Sequence, residues 1–142
     1  MLGKFVILMD GAFVKKKIQN RTNKFPTVSD IKAEVARIRD HHALREYSLL
    51  RAYFYDAPPP TGALINPVSG ATVDLGAHPN NAKHISLQQT LELQSDFEVR
   101  LGETAVFGWT VGIAATRSLQ KSPRMPSADD FVLILGTRHD AS

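Results

Sequence analysis

Cysteine is missing from all 142 residues, which removes thiol nucleophiles, cysteine-ligated zinc and iron–sulfur clusters together. A glycine-rich phosphate loop, a Gly-x-Ser-x-Gly elbow and zinc-protease spacing are missing as well. Long hydrophobic runs are absent. The longest, such as Phe5 to Met9, are of strand length and far short of a membrane span. The opening Met1-Leu2-Gly3-Lys4 and the run behind it are too short for a secretory core and lack a small-residue cleavage site. A cytoplasmic chain without membrane association is therefore expected. Neither sign of charge dominates: 17 Lys and Arg against 14 Asp and Glu leave +3, a mild pull toward anionic partners. With 43% hydrophobic and 22% charged residues, disorder is excluded and one globular domain over residues 1–142 is expected.

Phe5-Val6-Ile7-Leu8-Met9, stopped by Asp10-Gly11, has the pattern of a parallel strand buried on both faces. Ala12 to Arg21 is built of helix formers, with a weak apolar stripe beside a dense Lys15-Lys16-Lys17 face. Thr27, with Asp30 three residues on, gives a capping-box signal, and Ile31, Val35 and Ile38 follow at helical spacing. Ser48 to Tyr55 alternates Leu50, Ala52 and Phe54 against Leu49, Arg51, Tyr53 and Tyr55, the period of a strand, and ends at Asp56. Pro58 to Pro60 stop it and open a long exposed loop over 57–81. A helix over 82–94 should bury Ile85, Leu87 and Leu91. Phe97 to Leu101 alternates as a third strand closed by Gly102, Val111 to Gln120 forms a helix, and Phe131 to Leu135 makes the last strand. This succession predicts an α/β fold with a mainly parallel sheet, whose ligands sit beyond the carboxyl ends of the strands.

Asp10 and Asp56 both fall at such ends. Two carboxylates there are the donors a hard cation such as Mg2+ takes, with phosphate and water completing its shell, and phosphodiester hydrolysis is the matching chemistry. Alternatively, Asp10 caps the following helix and Asp56 opens the proline turn. Lys15, Lys16, Lys17, Arg21 and Lys24 carry the charge to hold a nucleic-acid backbone, or form an ordinary solvated helix face. Arg51, with Tyr53 and Tyr55, is suited to stacking bases at a strand end, or packs against a helix. The five histidines fit no zinc spacing and are taken as non-catalytic, and Trp109 as a core or interface residue.

Three blocks go beyond generic pattern: Val6-Ile7-Leu8-Met9-Asp10-Gly11-Ala12-Phe13, Leu50-Arg51-Ala52-Tyr53-Phe54-Tyr55-Asp56-Ala57-Pro58-Pro59, and Phe97-Glu98-Val99-Arg100-Leu101-Gly102. In order and approximate spacing they resemble the NYN domain family, LabA-like bacterial members of the PIN-like nuclease superfamily. The resemblance implies a three-layer α/β/α, PIN-like or Rossmann-like fold and a ribonuclease dependent on Mg2+, or Mn2+ in its place. Asp10 matches the family's first metal-binding aspartate, and Asp56 stands in its Tyr-Asp-Ala-Pro-Pro motif. These two are the candidate catalytic residues, and Asp10, Asp56 and Asp130 the candidate metal ligands. The similarity runs from Lys4 to about Phe131. Family members continue with a Gln-Lys-Gly-Val-Asp-like stretch and a Ser-Gly-Asp-Ser-Asp-like motif that supply further ligands. Phe131 to Ser142 holds neither, so a C-terminally incomplete domain is expected, with Asp129 and Asp140 as the other acids available to it. Two functions follow as expectations: a ribonuclease acting on RNA, or a non-catalytic RNA-binding or protein-interaction module, with self-association open to either.

Overall fold

The computed structural model describes residues 3–138. Strand β1 (Gly3–Asp10) leads into helices α1 (Gly11–Thr22) and α2 (Val28–Arg39) and then strand β2 (Tyr47–Asp56). A small hairpin, β3 (Ala63–Ile65) and β4 (Thr72–Asp74), precedes α3 (Asn81–Glu92) and β5 (Phe97–Leu101). After these come β6 (Glu103–Val111), α4 (Ile113–Lys121) and β7 (Phe131–Arg138). The α/β class holds. Strands β1, β2 and β5 form a parallel sheet with β2 in the middle, and β6 pairs antiparallel with β7. Among the described residues, no helix is long and apolar enough to cross a membrane.

Local chemistry explains the element ends. Asp10 caps α1 by accepting the Phe13 N–H, and Asn23 ends it in the left-handed region at φ 55°, donating its N–H to Gln19. Thr27 and Asp30 form the expected capping box of α2. Gly11 is required by space: a Cβ there would meet the Tyr55 carbonyl oxygen at 2.7 Å and the Phe54 ring at 2.9 Å. This close approach seats α1 directly over β2. The core then gathers Ile7 and Met9 of β1, Ala52 and Phe54 of β2 and Phe97 of β5 against Ile18 of α1, Ile31 and Val35 of α2, and Leu87 and Leu91 of α3.

Helices α1, α2 and α3 thus cover one face of the sheet, and several expectations are corrected by the structure. Strand β1 is buried on one face, because Val6 and Leu8 point to the other and are 44% and 66% exposed. Ile38 and Ile85 lie at the margins of their helices and are exposed. The 57–81 segment is no featureless loop: β3 and β4 pair within it, and Asn66 and Leu75 are buried. The last strand does not join the parallel sheet. Gly102 donates its N–H to the Asp56 carbonyl at 2.8 Å, the last rung of the β2–β5 pairing, and the chain then runs into β6, which sequence reasoning missed and which becomes the partner of β7. Trp109 on β6 is half-buried.

Glu34 ties the helical layer together. Buried on α2, it accepts from Arg37 at 2.6 Å, from Arg21 of α1 at 3.0 Å and, at 3.5 Å, from Lys17 of α1. The Arg37 hydrogen bond, helped by Arg21 and the nearby charges, outweighs burial and lowers its pKa from 4.5 to about 2. Because the folded value lies below the unfolded one, the stabilisation is complete above pH 4.5 and is lost as the pH falls toward 2. Glu34→Gln should therefore cost about 1–2 kcal/mol at pH 7, a figure discounted for the exposure of the three cations. Urea unfolding at stepped pH should show the two proteins converging in acid. A constant difference down to pH 2 would contradict this role.

Candidate functional site at the carboxyl edge of the sheet

Asp10 and Asp56 end neighbouring parallel strands, Asp10 lying in register with Tyr55. Their surroundings differ sharply. Asp10 is exposed, and its Oδ1 accepts the Phe13 N–H at 3.2 Å. Asp56 is only 7% exposed, at the end of the central strand. Helix α1 delivers Lys15 to it, whose Nζ donates to Asp56 Oδ2 at 2.6 Å. From α3, Gln88 Nε2 donates to the same oxygen at 2.9 Å and to the Ala57 carbonyl at 2.9 Å.

His84, one turn before Gln88, completes the cluster. Lys15 Nζ lies 3.0 Å from His84 Nδ1, and since an ammonium only donates, Nδ1 is the acceptor and the imidazole is neutral. Burial, and then the Lys15 charge, lower its pKa from 6.5 against the opposing pull of Asp56. The ring also meets Phe25 edge-on, with centroids 4.8 Å apart.

Lys15, Asp56 and His84 line a cavity of about 630 Å³. Its walls come from Pro58 to Pro60, from Val73, Leu75 and Ala77 of the hairpin region, and from Thr104 and Leu135 beyond the sheet. The Thr104 hydroxyl donates to the Pro58 carbonyl, and Asn66 Nδ2 donates to Ala128 O at 3.3 Å, so the inserted segment is anchored from both sides.

The structure sorts the other predicted residues. Lys15 is not on a solvated face but 8% exposed against Asp56, so it is corrected from a backbone-contacting lysine to a buried ion-pair partner. Lys17 and Arg21 are engaged by Glu34. Lys16 and Lys24 are exposed. Arg51 pairs with Glu98 at 3.1 Å, while Arg100 lies over the Tyr53 ring at 4.7 Å and the Tyr55 ring at 5.9 Å. Asp130 forms a two-pronged pair with Arg124, at 2.7 and 3.0 Å, and caps its own turn through Ser127. Arg124 holds its carboxyl well below the usual carboxylate range. Asp129 is exposed, and Asp140 lies outside the described residues. Among the described residues, no three His, Cys, Asp or Glu side chains converge as a metal centre. His84 and Gln88 were missed by sequence reasoning, although their spacing of four puts both on one helix face, the available signal.

No family model, curated protein or solved structure matches the chain. Functional assignment therefore rests on the residues themselves.

Removing one half of a buried pair strands the other charge. Lys15→Met should cost about 3–5 kcal/mol, and adding Asp56→Asn to it should restore much of the loss. Chemical denaturation of the two single variants and the double variant measures the coupling. A Lys15→Met cost under about 1 kcal/mol would mark the contact as an ordinary surface pair.

Proposed function

We propose that the chain is an NYN-type, PIN-like domain acting on RNA at the carboxyl edge of its sheet, as a metal-dependent ribonuclease. The carrying observation is that Asp10 and Asp56 end adjacent parallel strands, with Asp56 lining a cavity at that edge, where open α/β sheets take their ligands. The resemblance of the Asp10, Asp56 and Val99-Arg100-Leu101-Gly102 blocks to that family agrees with it. A three-layer arrangement belongs to the same proposal and calls for a cover over Val6 and Leu8.

Magnesium takes one or two carboxylates and keeps much of its water. Asp10, exposed and with Oδ1 shared with one backbone N–H, fits as a direct ligand. Asp56 fits less well, since its Oδ2 already rests against an ammonium, and Asp130 is held by Arg124. This donor set suits a loosely held ion on Asp10, not a closed cage. Bound there, the ion would lower the pKa of an attacking water and neutralise charge on the phosphoryl oxygens. Lys16 and Lys24 would hold backbone phosphates, and Lys15 would keep the Asp56 carboxylate oriented.

The ion pairs that neutralise Asp56 and Asp130 favour a second reading, an RNA-binding module without cleavage. Labelled single-stranded and structured RNA, with Mg2+, Mn2+ or EDTA, separates the two. The ribonuclease predicts metal-dependent cleavage that Asp10→Asn abolishes while RNA binding persists. Salt-sensitive binding with no cleavage selects the module. Neither binding nor cleavage by the folded protein overturns both.

A further inference from the structure

We propose that the cavity beside Asp56 is a recognition pocket for a single nucleobase, taken up unstacked from single-stranded RNA passing Asp10. This deepens the RNA reading and rests on it for the identity of the polymer. The volume, about 630 Å³, lies within the range of sites that enclose small ligands.

The lining has the two components that base recognition needs. Pro58, Pro59 and Pro60, with Val73 and Leu75, give apolar surface for the faces of a planar ring. Lys15 and Asp56 give an edge-reading pair, and both are more than nine-tenths buried. Two of the three ammonium protons of Lys15 are directed to Asp56 and His84, which leaves one for a ligand acceptor. The hydrogen bonds of Asp56 from Lys15 and Gln88 both fall on Oδ2, which leaves Oδ1 for a ligand donor. A donor and an acceptor side by side match the adjacent C=O or ring nitrogen and N–H groups along the pairing edge of a nucleobase.

The pair is also ordered in advance. Gln88 fixes Asp56 and the Ala57 carbonyl together, so the edge that reads the base and the start of the proline wall move as one unit. A base entering here exchanges its water for groups already in position, the condition under which a polar contact discriminates between ligands. A free phosphate matches the pocket poorly, because the Lys15 charge is already balanced by Asp56.

The test is titration of the intact chain with the four ribonucleosides, followed by backbone amide NMR. At least one nucleoside should shift Ala57, Leu75 and Ala77, and Leu75→Trp, which fills the cavity, should weaken that binding about tenfold or more. Absence of shifts at millimolar nucleoside, or shifts confined to other surfaces, overturns the pocket without need of the variant. A short oligoribonucleotide carrying an abasic site at each position in turn separates this from the RNA reading. Oligonucleotide binding unaffected by every abasic site, without nucleoside shifts, removes the pocket and keeps the RNA reading. Nucleoside shifts without oligonucleotide binding keep the pocket and remove the RNA reading.

Discussion

A lysine and an aspartate 41 residues apart meet at 2.6 Å inside this protein, and the carboxyl edge of the sheet is arranged around that contact. Neither charge can be buried alone. Helix α1 must therefore turn Lys15 inward, which its position four residues after Gly11 and three before Ile18 allows, and Gly11 must remain small enough for the helix to close on β2. Helix α3 must in turn place Gln88 against the same carboxylate and His84 against the same ammonium. The pair adds little net stability over an apolar substitute. What it adds is position: one register of two helices over one strand end satisfies every partner.

The same economy governs the remaining charges. Glu34 collects Lys17, Arg21 and Arg37, Glu98 collects Arg51 and Arg100, and Arg124 clamps Asp130. A chain of net charge +3 thus spends several of its cations internally. Attraction to a polyanion falls to the exposed lysines, Lys16 and Lys24 among them, and to the exposed sides of the arginines, so binding to RNA would depend on the shape of the edge as well as on charge. Under the proposed function, recognition would then fall on the cavity and on Asp10, at adjoining strand ends.

Much of the fold was legible because local signals agreed with tertiary demands. The Thr27 to Asp30 capping box and the Ile31 and Val35 spacing gave α2, and alternation gave β2 and β5. Lys15 was illegible because a lysine among lysines on a helix reads as solvated, and only a partner distant in sequence reveals otherwise. Val6 and Leu8 sit in a run that periodicity cannot resolve, so their exposure emerged from α1, α2 and α3 falling on the other side of the sheet. Strand β6 was there to be found in the β-branched and aromatic residues between Glu103 and Val111. Its antiparallel pairing with β7, by contrast, joins segments on either side of α4, a contact that no local pattern encodes. At the site, the strand ends bearing Asp10 and Asp56 were readable, and the neutralisation of Asp56 was not.

The burial of Lys15 is the claim on which the rest depends, and its amine reactivity tests it directly. Brief acetylation of the native protein, read site by site by mass spectrometry, compares Lys15 with its neighbours Lys16 and Lys17 in one helix. The buried pair predicts Lys15 labelled far more slowly than either in the folded protein and at a similar rate after unfolding. Equal labelling of all three lysines in the folded state would contradict it.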